Sequence, residues 1–149
     1  MLFLCTGNYF RSRFAAAIFD HLAAQAGLPV RARSAGLEPG CATRNPGPIS
    51  PYTLAALRRR GVALPDPLPI PRDASEPELA AAALIVALKD AEHRPMVAAR
   101  FPAWVDRMRY WDVDDVPDAL PEVSLGRIEV LVRELIAELA DLVRGRRPG

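Results

Sequence analysis

This sequence predicts an α/β fold, a parallel sheet with helices on both faces, and three features carry the prediction. Short apolar segments alternate with amphipathic ones along the chain. Residues 83–88, Ala-Leu-Ile-Val-Ala-Leu, form the most apolar run and suit a central strand covered on both faces. Residues 124–143 place Ile128, Leu131, Val132, Leu135, Leu139 and Leu142 on one stripe, as a long helix lying on a sheet does. Alternating strands and helices join through right-handed crossovers, and such sheets bind ligands at the carboxyl ends of their strands.

In chain order, residues 1–4 read as a short buried strand, assigned by its position before a loop more than by periodicity. From 12 to 26 the residues Phe14, Ala15, Ile18, Phe19 and Leu22 recur at three- and four-residue spacings, one face of a helix stopped by Gly27 and Pro29. Residues 30–34 alternate apolar and basic, a second strand toward a sheet edge with Arg31 and Arg33 turned to water. A Gly- and Pro-rich loop, 38–48, holds Cys41. Ser50-Pro51 is a cap followed by proline at the first helical position; Leu54 and Leu57 supply the buried face and Gly61 the stop. Four prolines make 64–72 an extended connection. Ser75-Glu76-Pro77-Glu78 reads as a capping box opening a short helix. Beyond the central strand, 90–100 reads as a helix whose regularity Pro95 limits, and 105–111 as a fourth strand. An acidic loop, 112–122, precedes the last helix, and 144–149 is expected to fray. No repeat or internal boundary divides the chain, so residues 1–149 are expected to form a single domain.

The first strand runs into Cys5-Thr6-Gly7-Asn8-Tyr9-Phe10-Arg11-Ser12 and then into a helix. Five residues between Cys5 and Arg11 allow a tight turn whose backbone N–H groups converge on one point, where the helix adds the positive end of its dipole. Gly7 and Asn8 are residue types that accept positive φ, as an inward-folded loop needs. Converging N–H groups and Arg11 favour the thiolate of Cys5, the nucleophilic form of a cysteine. Arg11 brings a planar fork able to hold two oxygens of a phosphate-like dianion. Ser12 can donate to the thiolate, steadying it as nucleophile and as leaving group. The chemistry this arrangement predicts is in-line attack of Cys5 on phosphorus, giving a phosphocysteine that water hydrolyses.

Cys-Thr-Gly-Asn-x-x-Arg-Ser between an apolar strand and a helix resembles the phosphate-binding loop of the low-molecular-weight protein tyrosine phosphatases. Outside the loop the resemblance rests on Ser34-Ala35-Gly36 and on residues 111–115. It implies a single-domain, four-stranded parallel sheet of the phosphatase I-like type. Within it, residues Thr6 to Ser12 bind phosphate, and the family position matched by Ser34 supports the loop by its hydroxyl, with Asn8 as internal brace and Ser12 beside the sulfur.

The resemblance also implies a general acid on a late loop. Aligned on Trp111, Asp115 takes that role, with Val116 where the family carries proline and Asp114 as the alternative if the register slips by one. Neighbouring Asp112, Asp114 and Asp118 oppose a further negative charge there, which suits a proton donor. Phe10 stands where many members carry a second cysteine, Arg13 where proline often follows, and the tyrosines that follow the acid in many members are missing. Tyr9 is a candidate for the aromatic wall they would form. Cys41 is read as structurally incidental, and His21 and His93 as surface residues without a partner.

Half of the residues are apolar, a quarter are charged and the net charge is +1, so neither a nucleic-acid surface nor a disordered charged arm is indicated. Two cysteines make no disulfide scaffold and match no zinc spacing; a reduced, cytoplasmic setting is expected, with no metal or cofactor. No apolar run approaches the ~20 residues of a membrane span.

The leading expectation is a phosphomonoester hydrolase acting on tyrosine-phosphorylated protein or a small phosphomonoester, as a monomer or weak dimer, with Cys5, Arg11 and Asp115 as working groups. Two others compete. An arsenate reductase would use the same loop and an external thiol, since only Cys41 is at hand. A phosphate-binding module without catalysis would have no use for the nucleophile.

Overall fold

A computed structural model describes residues 1–146. Four parallel strands, β1 (Leu2–Cys5), β2 (Arg33–Gly36), β3 (Ile85–Ala87) and β4 (Arg109–Tyr110), form one sheet in the order β2-β1-β3-β4. The register sets Cys5 beside Gly36 and Leu4 beside Ala87, so the carboxyl ends of β1, β2 and β3 open on one edge of the sheet.

The strand pleat divides the core in two. Phe3, Cys5, Val86 and Leu88 face α1 (Arg11–Gln25), α3 (Pro51–Arg59) and α6 (Pro121–Gly145) in one apolar cluster. Leu2, Leu4, Ala35, Ile85 and Ala87 face the other way, with Leu79 of α4 (Glu76–Ala81) and Val97 of α5 (Asp90–Arg100). Because β1 and β3 are covered on both faces, every residue in them is buried, which is why they read as unbroken apolar runs.

Ser50 accepts from the Tyr52 N–H and Pro51 opens α3; Gly61, at φ 69°, lies just past its end. Other elements differ from the sequence reading. Ser75 precedes α4 without a side-chain cap, because Glu78 turns instead to the guanidinium of Arg72, with Arg33 at 3.7 Å. The fourth strand is only two residues long, since Pro102–Arg107 winds into a 3₁₀ turn and consumes its first half. Residues 38–48 contain one helical turn, α2 (Cys41–Arg44), introduced by Gly40 at φ 84°. Pro95 is accommodated inside α5, which runs through it. Arg144 and Gly145 belong to the last turn of α6 and Arg146 is its C-cap; the other residues expected to fray, 147–149, lie outside the described residues. Among the described residues no helix is long and apolar enough to cross a membrane.

Candidate active site

The site forms where β1 ends and α1 begins. Cys5 closes the strand, the chain turns through residues 6–10, and Arg11 is already the first residue of α1. No side chain caps α1, and among the described residues the amides of Gly7, Asn8, Tyr9 and Phe10 have no acceptor. Those donors and the helix terminus together favour an anion at the loop.

Asn8 holds the turn in shape. Its φ of 51° places it in the left-handed region, whereas Gly7, the other residue expected there, is not. The Asn8 amide, fully buried, donates to Ser12 Oγ at 3.0 Å and to Ser34 Oγ at 2.9 Å, and its oxygen accepts from the Arg72 N–H at 3.1 Å. Cys5 Sγ donates to the same Ser12 Oγ at 2.9 Å; once the sulfur is a thiolate, the Ser12 hydroxyl can turn its proton to it instead. Asn45 Nδ2 donates to the Gly7 carbonyl at 2.9 Å and fastens the outer rim.

Gly36, the register partner of Cys5, has its own reason to be glycine. A Cβ there would meet Cys41 Sγ at 2.2 Å and the Thr6 carbonyl at 3.0 Å. Cys41 is therefore packed under the loop, with Sγ donating to the Glu38 carbonyl at 3.0 Å; burial first, then Asp73, pushes its thiol up to about 12. Both cysteines are free.

Cys5, Cys41, Tyr9, Phe10 and Arg11 line a pocket of about 810 Å³ together with Tyr52, Asp115 and Val116. Asp115 Oδ2 accepts from Arg11 Nη2 at 3.3 Å. Asp114 points elsewhere, to Lys89, and its carbonyl accepts from Ser124 Oγ at 2.7 Å. Lys89 also pairs with Asp112 at 3.1 Å, a cation that the sequence reading does not place among these carboxylates.

Arg11 is only 1 % exposed. Burial opposes its charge, but Glu92, the cysteine sulfur and Asp115 outweigh it and raise the guanidinium above its ordinary value. Glu92 accepts from both terminal nitrogens, at 3.1 Å from Nη1 and 2.7 Å from Nη2, and the Val113 carbonyl accepts from Nη1 at 3.0 Å. Thr6 Oγ1 donates to the same carboxylate. His93 is not a surface residue: it is fully buried, and the Lys89 N–H donates to its Nδ1 at 2.9 Å. That bond leaves the proton on Nε2, 3.2 Å from Thr6 Oγ1 and 3.4 Å from Glu92 Oε1. His93 first, then Arg11 and Thr6, hold Glu92 well below the usual carboxylate range. Burial keeps His93 below its own ordinary value.

Residues 1–143 match the family described as low molecular weight phosphotyrosine protein phosphatase. The chain belongs to that family. Its members are cysteine-based phosphatases. The chain is 32 % identical over 108 residues to a protein-arginine-phosphatase of Bacillus subtilis (strain 168), covering 72 % of this chain and 67 % of that one. A low molecular weight protein tyrosine phosphatase from T. tengcongensis superposes with a TM-score of 0.76 at 24 % identity, over 92 % of this chain and 97 % of that one, a likeness of fold. A thioredoxin-dependent arsenate reductase of Corynebacterium glutamicum superposes with a TM-score of 0.66 at 25 % identity, over 95 % of this chain and 61 % of that one.

In this phosphatase the fold brings Thr6, Gly7, Asn8, Tyr9, Phe10, Arg11 and Ser12 into one loop, with Ser34 behind it and Asp115 across the pocket. Glu92 and His93 were missed by sequence reasoning. The one signal available was position: an acid and an imidazole soon after the central strand, at the sheet edge where ligands gather.

Proposed function

We propose that this protein is a phosphomonoester hydrolase of protein phosphotyrosine, with Cys5 as nucleophile, Arg11 and the loop amides as phosphate binders and Asp115 as general acid. The observation that carries it is one pocket holding Cys5 Sγ beside the Ser12 hydroxyl, a buried guanidinium, and a carboxylate at its mouth. In the first step the Cys5 thiolate attacks phosphorus, the bond to the leaving oxygen breaks, and Asp115 gives that oxygen its proton. In the second, Asp115 takes a proton from water as it attacks the phosphocysteine. The P–S bond breaks, and the Ser12 hydroxyl receives the returning thiolate. Arg11 and the loop amides meet the charge that develops on the transferring oxygens.

Tyr9, Phe10, Tyr52 and Val116 give the pocket an apolar flank suited to an aromatic leaving group, which supports phosphotyrosine. Phosphoarginine is the second reading, favoured by the likeness to the Bacillus subtilis arginine phosphatase. Arsenate reduction would need a thiol to discharge Cys5; Cys41 borders the same pocket but is buried and held as a thiol, which makes it a poor nucleophile.

The test is a turnover panel in chelator over phosphotyrosine, phosphoarginine and phosphoserine peptides and over arsenate with thiol, for the native chain and Cys5→Ser. Phosphotyrosine is expected to turn over fastest, with all activity lost in Cys5→Ser. Activity that survives the substitution, or arsenate turnover that exceeds every phosphoester, would end the reading.

A further inference from the structure

A guanidinium carries five N–H bonds and presents two edges that can hold an oxyanion with two hydrogen bonds: end-on through Nη1 and Nη2, and side-on through Nε and one Nη. In this chain the end-on edge is taken. Glu92 accepts from Nη1 and from Nη2, and the Val113 carbonyl takes the second hydrogen of Nη1. The second hydrogen of Nη2 goes to Asp115 at 3.3 Å, the longest of the four contacts. Among the described residues Nε has no acceptor.

The two carboxylates differ in what holds them. Glu92 is fixed by the Thr6 hydroxyl and by the buried His93 ring, itself locked by the Lys89 amide, and it lies outside the lining of the pocket. Asp115 lines the pocket, its side chain is 40 % exposed, and its other contact is the neighbouring Val116 N–H. Glu92 stays ionised far below neutral pH, so its grip does not lapse in the working range.

We infer that Glu92 is the positioning residue of the site: it fixes the Arg11 fork so that only the side-on edge faces the pocket, and an arriving phosphoryl group takes over the Nη2 hydrogen that Asp115 holds. The inference rests on the proposed role of Arg11 as the phosphate binder. Asp115 is then a placeholder on the fork when the pocket is empty, and substrate binding releases it toward the leaving oxygen. His93 and Thr6 act through Glu92, and none of the three touches the reacting atoms.

The alternative is physical and opposite in sign. A carboxylate so close to the phosphate site repels a dianion, and if that were its main effect, its removal would tighten oxyanion binding. The test measures the Kd of inorganic phosphate by calorimetry and kcat/KM on an aryl phosphate for the native chain, Glu92→Ala and Glu92→Gln, with melting temperatures alongside. The expected result is a phosphate Kd raised about tenfold and kcat/KM lowered about a hundredfold in Glu92→Ala, the transition state losing more than the bound product. Glu92→Gln, which keeps one acceptor oxygen, should fall between. Phosphate bound as tightly or more tightly by a folded Glu92→Ala would overturn the inference. If that variant does not fold, an unchanged Kd and kcat/KM in Glu92→Gln would overturn it equally. Phosphate binding needs no turnover, so a native chain that hydrolysed nothing would refute the proposed function while the Kd comparison still decided the role of Glu92.

Discussion

The Cys5–Ser12 loop, proposed to hold phosphate, and the Asp115 loop, proposed to carry the acid, line one pocket, yet they are built by different means. From Cys5 to Ser12 the loop is anchored by fully or nearly buried groups, Cys5, Asn8, Phe10, Arg11 and Ser12, and Asn8 alone ties it to Ser12, Ser34 and Arg72. The acid loop is anchored at one buried apolar residue, Val113, whose N–H donates to the Leu88 carbonyl, by the Ser124 hydroxyl on the Asp114 carbonyl, and by charge: Lys89 to Asp112 and Asp114, Arg11 to Asp115. A cradle for a dianion must have its dipoles set before the substrate arrives, so that no reorganisation is needed during the reaction. A group that shuttles a proton to a leaving oxygen and then from water must reach two partners, and a side chain that is itself 40 % exposed, as Asp115 is, can do so.

Substitutions on the two sides should therefore fail differently. Asp115→Asn should lower kcat on a poorly activated aryl phosphate by about a hundredfold to a thousandfold. The loss should shrink on a leaving group that needs no proton, with the melting temperature unmoved. Equal losses across leaving groups in steady-state kinetics would break the assignment of Asp115 to proton transfer. Asn8→Ala should do the reverse: it leaves buried polar partners unpaired and puts a Cβ residue at φ 51° without the amide that offsets the strain. A stability loss of about 2–3 kcal/mol is expected by denaturant titration, together with reduced activity on every leaving group alike.

Acid should act through the brace beneath Arg11. Both groups there are displaced downward, Glu92 from an ordinary 4.5 and His93 from 6.5. The unfolded chain then takes up each proton before the folded one does, so stability is lost as pH falls, from 6.5 downward for His93 and below 4.5 for Glu92. Glu92→Gln should flatten the stability curve below pH 4.5 and leave the decline that begins near 6.5 in place. An unaltered acid limb in urea titrations across that range would remove Glu92 from the account. The smallest effect is expected from Lys89→Met. It removes the cation that pairs with Asp112 and Asp114 and leaves the cradle side chains in place, and kcat should change by only a few-fold.

The same contrast explains what could be read from the sequence. The phosphate loop is local: eight consecutive residues between a strand and a helix carry its chemistry; β1 follows from its place before that loop, and α1, α3 and α6 from periodicity and end signals. The pairing of Arg11 with Glu92 joins residues 81 apart, and in a sequence Glu92 is one more charge on an exposed-looking helix. The burial of His93 escapes a sequence for the same reason, since its Nε2 sits beside Oγ1 of Thr6, a residue 87 positions away. Gly36 shows the limit from the other side. Its need for no side chain is set by Cys41, brought beneath it by a loop whose course the sequence leaves open. The short fourth strand was overestimated because 105–111 is apolar enough for a strand, while Pro102 commits its beginning to a 3₁₀ turn.

The most direct measurement is to mix the enzyme with a phosphotyrosine peptide, stop the reaction with denaturant within one turnover, and locate the transferred phosphoryl group by peptide mass. The account requires it on Cys5, absent from Cys5→Ser and accumulating when hydrolysis is slowed by Asp115→Asn on an activated substrate. A phosphoryl group found on any other side chain, or turnover with Cys5 never modified, would contradict it.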